Sequence, residues 1–564
     1  MPHHNDDNDE VHQIFFKVKK SLIYVGFFSF FINLLQLASP LYMLQLYDRV
    51  MISRSESTLL MLTLIIIILF MTMMILEIVR SRILVRISNK IDNMLSDRIF
   101  ESIFMLSNKS PDKVSTAPFS DLALIRQALT GNGLFAIFDA PWFIIYISAL
   151  FIFHSYFGWF SICAGLLLIL FAFLNERQTK KKLIEANKMS RSSHTFLEGS
   201  LRNSEIIYAM GMQDNIRNLW QKKYFRFLNA QMIASDNAGF WVNITKSTRL
   251  LLQSLILGLG GFLALRSEIT PGMMIAGSIM MGRALAPLDV IISSWKGFSQ
   301  AYEAYIRLKY LLKEHPKKEK PMVLPPPKGE ISLEQIIVIP PNTKLPTIKG
   351  ISLHVKKGDV VGIIGPSAAG KSTLARAILG IWPVVSGKVR LDMVDITQLD
   401  RELLGEYIGY LPQDIELFEG TISENISRFS EVNASKVVEA ATQAGVHEMI
   451  LKLPNGYDTQ IGKGGSILSG GQRQRIGLAR ALYGNPVIVV LDEPNSNLDD
   501  AGEYALTNAL RILQSKAITV ILITQRPSIV QMTNKLMVLN QGKIELYGDT
   551  QHILQKLQMQ ATKV

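Results

Sequence analysis

The chain has 564 residues, 48% hydrophobic and 19% charged, and its mean hydropathy of +0.22 is high for a water-soluble protein. The formal net charge is +12, yet the basic residues crowd beside apolar runs: Lys17, Lys19 and Lys20 before the first, Arg80, Arg82 and Arg86 after the second, Arg177, Lys180, Lys181 and Lys182 after the fourth. That is a positive-inside membrane pattern and argues against a nucleic-acid partner. The single cysteine, Cys163, excludes an intramolecular disulfide and a cysteine-built zinc site, and reads as a small buried or lipid-facing residue.

The segment 1–20 is expected to be cytosolic; it opens on the acidic, polar MPHHNDDNDE, and no short apolar stretch ends in the small-residue cleavage site of a signal peptide. Six spans, each needing about 20 mostly apolar residues, are expected at 21–44, 58–78, 137–155, 158–175, 248–266 and 271–293. Tight turns outside the cytosol are predicted at 156–159 and at 266–272. The intervals 79–136 and 176–247 are charged and rich in helix formers. Each reads as the cytosolic ends of two long helices, joined by a turn or a short coupling helix, with both termini cytosolic. Asp139, near Pro141, and Arg283 and Asp289, near Pro287, interrupt spans. Ionisable groups at membrane depth are costly, so these are expected to face a water-filled path, a partner or the interface.

The membrane domain is expected over 21–312. A Lys-, Glu- and Pro-rich linker, KEHPKKEKPMVLPPPK, follows at 313–328, too polar for a core and extended by its prolines. From 329 to 564, strand-like runs at 360–364, 389–391, 408–411, 487–491, 519–523 and 535–539 alternate with helical ones, which predicts an α/β domain.

Residues 365–373 read GPSAAGKST, a GxxxxGK[ST] phosphate loop between an apolar strand and a helix. Gly365, Pro366, Ser367, Ala368, Ala369 and Gly370 supply a loop whose backbone N–H groups surround phosphates, at a helix N-terminus that favours anions. Lys371 is expected on the β- and γ-phosphates and Ser372, followed by Thr373, on Mg²⁺. An apolar strand then ends in Asp492 and Glu493. Asp492 is placed to hold Mg²⁺ through water, and Glu493 to orient or deprotonate an attacking water.

Between these motifs lies LSGGQ at 468–472, followed by RQRIGLARA. This matches the ABC-transporter signature, and the chain resembles that family over its whole length. The resemblance makes Ser469, Gly470, Gly471 and Gln472 contacts for ATP held by a second subunit. It makes Gln413 (YLPQD) the glutamine that touches Mg²⁺ and senses the γ-phosphate, 496–499 (SNLD) the D-loop, and 420–426 (GTISENI) the exporter segment that meets the coupling helices. One phosphate loop and one signature per chain imply a homodimer with two composite ATP sites; a heterodimer with a related half stays open.

The stretches 39–50 (SPLYMLQLYDRV), 138–142 (FDAPW), 202–212 (RNSEIIYAMGM) and 282–289 (GRALAPLD) resemble type I protein-secretion transporters of the PrtD group. That resemblance implies export of an unfolded protein carrying an uncleaved C-terminal signal, across the inner membrane, with a periplasmic adaptor and an outer-membrane channel. The short segment before the first span suggests an exporter with no N-terminal peptidase domain. Two departures stand out. The family's H-loop usually reads Thr-His-Arg, and here it is Thr524, Gln525, Arg526. Glutamine donates a hydrogen bond but neither carries a charge nor takes a proton, so Gln525 is expected to assist Glu493 in slower hydrolysis, or to mark a subunit that hydrolyses poorly. No aromatic stands at 336–342 to stack on adenine, which leaves Ile339 or Pro340 for that contact. An exporter of lipid, drug or peptide with the same engine is the alternative reading.

Overall fold

The computed structural model describes residues 10–109, 115–316 and 325–561, except 342, 463, 464, 466 and 497. It divides into two compact units, one of Met1–Ile103 with Ser115–Pro316 and one of Phe104–Val114 with Lys317–Val564.

The first unit is helical. It comprises α1 (Glu10–Gln36), α2 (Ala38–Gln45), a π-helical turn at Leu46–Val50, α3 (Met51–Ser53), α4 (Glu56–Lys109), α5 (Ala117–Thr130), α6 (Asn132–Asp139), α7 (Trp142–Phe153), α8 (Ser155–Arg202), α9 (Ser204–Ala209), α10 (Gln213–Leu265) and α11 (Pro271–Glu314). Among the described residues, five stretches are long and apolar enough to cross a membrane, and a sixth is counted if α6 and α7, bent by 49°, form one span. No residue in the most apolar window of α4 is buried, as suits a lipid-facing helix.

The third span therefore differs from the expected 137–155. It starts at Asn132 and breaks at Ala140 and Pro141, because proline has no N–H for the helical ladder. The turn expected at 156–159 lies instead at His154, in extended conformation, with its ring accepting from the Tyr156 N–H at 3.2 Å. Gly158, inside the stretch expected to turn, is a packing position: a Cβ there would come within 2.4 Å of the Phe151 ring. The second long interval folds as read, with α9 as the short helix between α8 and α10. In the first, 110–114 lie outside the described residues. Helix α11 continues through Glu314, into the segment read as linker, and residues 317–324 are outside the described set.

Asp139 and Asp289 each find a partner. Asn33 Nδ2 and Arg80 Nη1 donate to Asp139 Oδ1 at 2.7 and 3.2 Å, Arg80 also reaches Ser29 Oγ at 3.0 Å, and Arg249 pairs with Asp289. Arg80 thus belongs to a buried network as well as to the basic flank of a span. Asp48, on the π-helical turn, accepts from Thr270 Oγ1 at 2.5 Å and the Gly272 N–H at 2.8 Å, so a carboxylate caps the N-terminus of α11. A Cβ on Gly272 would lie 2.6 Å from that carboxylate, so the position has no room for a side chain.

The second unit is α/β. Strands β1 (Ile331–Val338), β2 (Ile348–Val355), β3 (Val360–Ile364), β4 (Ser386–Leu391), β5 (Val394–Asp395), β6 (Ile408–Leu411), β7 (Gly420–Thr421), β8 (Gln460–Ile461), β9 (Ile488–Asp492), β10 (Thr519–Ile523), β11 (Lys535–Asn540) and β12 (Lys543–Asp549) form three sheets. The largest has the order β12-β11-β3-β10-β9-β6, parallel from β11 to β6. Strands β9 and β10 are buried at every position, as the continuous apolar runs of a two-sided parallel sheet require.

Replacing Asp139 with leucine leaves Arg80 buried without its counter-ion. Such losses cost about 3 kcal/mol or more, so the thermal midpoint of the purified protein is expected to fall clearly. The double variant Arg80→Leu/Asp139→Leu should recover most of that loss in the same unfolding measurement.

Candidate functional site

Adjacent parallel strands β3, β10, β9 and β6 end on one edge of the sheet. Ile363, Ile523 and Asp492 stand in register across three of them. The chain leaves β3 into Gly365, β9 into Glu493, β10 into Gln525 and β6 into Gln413. In open parallel sheets this carboxyl edge is where ligands bind.

The phosphate loop follows β3 and opens into α12 (Lys371–Ile378). Gly365 has φ 153° and Gly370 φ 102°, and a Cβ on Gly365 would meet the Leu539 carbonyl at 2.1 Å. Both glycines are therefore required by backbone geometry. Ala368, at φ 63°, holds a left-handed conformation that alanine adopts at a cost. Pro366, Ser367 and Ala368 are exposed, whereas Ala369, Gly370, Lys371 and Thr373 are buried and Ser372 is half-buried. Lys371 Nζ folds back onto the carbonyls of Gly365 and Pro366, at 2.8 and 3.0 Å. These bonds hold the ammonium inside the loop.

Asp492 is 1% exposed, and neither of its carboxylate oxygens has a hydrogen-bond partner. Burial pushes its carboxyl above the usual carboxylate range and Glu493 adds to the rise. The Ser372 hydroxyl, which approaches without closing a full hydrogen bond, and the charges of Arg376 and Lys371 pull it back. An orphaned, buried carboxylate beside a serine hydroxyl is an oxygen donor set that suits a hard divalent cation. Arg376, on α12, is a neighbour of the site that the motifs did not single out.

Glu493 turns away from Asp492. Its φ is 51°, its N–H donates to Ile523 O at 2.9 Å, and its Oε2 accepts from Gln413 Nε2 at 3.0 Å. Gln413 and Glu493, eighty residues apart, are thus in direct contact. The turn is held from beneath by Gln474, whose buried amide donates to the Pro494 carbonyl, and by Thr524 Oγ1, which donates to Asn495 Oδ1 at 3.0 Å. Gln474 was legible only as the middle residue of the Arg-Gln-Arg after the signature. The Gln525 side chain is exposed, and beside it Arg526 and Ser528 both donate to Glu503, at 2.6 Å each.

The signature serine caps the helix Gly470–Leu482. Ser469 Oγ accepts from the Gln472 N–H at 3.3 Å, and Gln472 Oε1 accepts from the Ser469 N–H at 2.9 Å. Gly470 and Gly471 form the first turn, so N–H groups point out of the helix end. Asp499 caps the next long helix through the Gly502 N–H at 2.8 Å, and residue 497 is outside the described set. Ile339 and Pro340, just past β1, are half-buried.

The family described as ABC transporter matches residues 348–496, and that described as ABC transporter transmembrane region matches residues 22–286. The type I secretion system ATP-binding protein PrsD of Rhizobium meliloti (strain 1021) is 41% identical over 542 residues, 95% of this chain and 92% of its own. The chain belongs to the ABC transporter family. The leukotoxin translocation ATP-binding protein LktB of Mannheimia glucosida is 28% identical over 96% of this chain and 77% of its own length. The toxin RTX-I translocation ATP-binding protein of Actinobacillus pleuropneumoniae is 27% identical over 95% and 77%. A solved bacterial Atm1-family ABC exporter with ATP bound shares the fold at a TM-score of 0.83 and 21% identity, over 97% of this chain and 98% of that one. This ABC transporter is therefore an ATP-binding ATPase with an exporter-type membrane domain, a multi-pass protein of the inner membrane.

An ionised, buried Asp492 destabilises the folded domain above its raised pKa, and the penalty disappears as pH falls through that value. Asp492→Asn is accordingly expected to raise the thermal midpoint of the nucleotide-free protein at neutral pH by about 2 °C. The same variant should abolish the further rise that Mg-ATP gives the parent. Differential scanning fluorimetry checks both.

Proposed function

We propose that this chain is the ATP-driven membrane component of a type I secretion system, exporting an unfolded protein across the inner membrane. The likeness to PrsD over nearly the full length of both chains carries this reading, and the two toxin-translocation relatives support it. The reading assigns 1–20 to a cytosolic segment, 21–312 to the membrane domain, 313–328 to the linker and 329–564 to the nucleotide-binding domain. Its partners are a protein substrate with a C-terminal signal, a periplasmic adaptor, an outer-membrane channel and the surrounding lipid.

Gly365 to Gly370 bind the phosphates of ATP through backbone N–H groups, and Lys371 leaves its carbonyl partners for the β- and γ-phosphates. Ser372, Asp492 and Gln413 hold Mg²⁺, with Thr373 behind Ser372. Bound there, the ion neutralises phosphate charge. Glu493 orients the attacking water and takes its proton, released from Gln413 as that amide turns to the nucleotide. Gln525 donates a hydrogen bond toward the γ-phosphate but accepts no proton. Ser469, Gly470, Gly471 and Gln472 serve the ATP of a second copy, so two chains make two sites. Ile339 or Pro340 lies against the base.

In lipid nanodiscs, Glu493→Gln is expected to lower Mg-ATP turnover by 10² or more with nucleotide binding retained, and Gln525→His to raise it. A parent that binds ATP without turnover would contradict the active-engine part of the reading. Deletion of the gene should remove one protein from the culture medium; an unchanged secreted set with altered drug tolerance would instead favour the exporter of small molecules.

A further inference from the structure

Two residues after α14 (Ile422–Ile426), Arg428 stands where a helix usually ends on glycine. The Phe429 N–H donates to the Glu424 carbonyl at 2.8 Å, the bond that closes such an end, and Arg428 has φ 58°. Phe429 is left-handed too, at φ 56°. A residue with a side chain holds that conformation at a cost which its surroundings must offset.

The offset lies at the rear of the signature helix. Arg428 Nε donates to the Arg480 carbonyl at 3.0 Å, and Nη2 to the carbonyls of Ala481 and Tyr483 at 3.2 and 3.1 Å. These groups belong to the end of Gly470–Leu482, where the last carbonyls have no partner within the helix and carry its negative dipole end. Nη1 donates to the Gly405 carbonyl of α13 (Arg401–Tyr407). Among the described residues the partners of Arg428 are these carbonyls and no carboxylate. Burial, and after it the charge of Arg480, lower its pKa, so the guanidinium owes its place to the helix end. Helix α13 continues the connection. Arg401 donates to the carbonyls of Leu379 and Gly380, just past the end of α12, at 2.5 and 2.6 Å. An arginine therefore stands behind each of the helices whose front ends carry the phosphate loop and the signature, and α13 joins the two.

We propose that Arg428 is a positioning residue for ATP hydrolysis: it sets the pose of the signature helix against α14 and α13, and through Arg401 against the phosphate-loop helix. It acts at a distance, since the 13 residues of the signature helix keep it about 18 Å from Ser469. The inference rests on the reading that the signature serves ATP held by a second copy. The test uses the full-length chain in lipid nanodiscs. With Cys163→Ser, Ser367→Cys and Ser469→Cys, the rate of ATP-dependent cross-linking reports the pose of the signature. Affinity for a fluorescent ATP analogue reports the phosphate loop, and Mg-ATP turnover is read in the chain without the added cysteines.

Arg428→Gln is expected to slow the cross-link and to lower kcat by about tenfold or more, with the affinity for the analogue retained. Arg428→Gly also removes the guanidinium but relieves the left-handed strain. It is expected to lose as much cross-linking and kcat as Arg428→Gln while unfolding at a temperature closer to the parent's. Arg428→Lys keeps a cation at the helix end with one nitrogen for the carbonyls, and is expected to fall between Arg428→Gln and the parent. Parent-like cross-linking and kcat in both Arg428→Gln and Arg428→Gly would overturn the inference. So would losses that simply follow the unfolding temperature across the three variants, or a loss of analogue affinity equal to the loss of kcat. A parent that forms no cross-link with ATP would sink the two-copy site itself and this inference with it, whereas a parent that cross-links beside variants that do so equally sinks the role of Arg428 alone.

Discussion

The parallel register of β3, β10, β9 and β6 is the constraint on which the nucleotide site depends. Because Ile363, Ile523 and Asp492 stand side by side, the residues that follow each strand emerge on one edge although they are far apart in sequence. Every chemical assignment follows from that edge. The loop after β3 curls only because Gly365 lies against the Leu539 carbonyl of the neighbouring β11 and Gly370 takes a positive φ. The carboxylate at the end of β9 is buried because its strand is covered on both faces. It is orphaned while the Lys371 ammonium is spent on the Gly365 and Pro366 carbonyls and no other donor closes on it. A site strained in its backbone and uncompensated in its charge gains stability when a polyanion and a dication enter together.

The membrane unit handles polar groups in the opposite way. There several ionisable side chains find partners within the chain: Asp139 with Arg80 and Asn33, Asp289 with Arg249, and Asp121, 3% exposed, with both Arg191 and Arg307 at 3.1 and 2.7 Å. Each pair joins helices remote in sequence, and removing one member leaves the other costly at depth. The carboxylate of Asp48 works at the other end of the spans, fixing where α11 begins. Long helices tied at a few polar points move as units, a property that suits a domain coupled to nucleotide binding.

Much of this was legible in the sequence because the motifs are forced by sterics. A loop that wraps phosphates needs glycine where a Cβ would collide, and Gly365 and Gly370 stand at those positions. The strands 360–364, 408–411 and 519–523 were legible to the residue because buried parallel strands are unbroken apolar runs. The strand order was not, since neighbours in a sheet are chosen by packing between distant segments. For the same reason the contact of Gln413 with Glu493 and the support from Gln474 stayed hidden. In the membrane unit, the turn expected at 156–159 falls at His154, since a glycine that admits a neighbouring ring, as Gly158 does, looks the same in sequence as one that sits in a turn. Arg80 passed for a flanking charge because its partner lies 59 residues away.

In the proposed mechanism one ATP is held between the phosphate loop of one copy and the signature of another. The direct test is cross-linking in a chain whose single cysteine is removed (Cys163→Ser) and which carries Ser367→Cys and Ser469→Cys. Nucleotide is added to the membrane-embedded protein, followed by an oxidant. A covalent species of twice the 63.3 kDa chain mass is expected to form with ATP and not without it. Chains that stay at monomer mass in both conditions would contradict it.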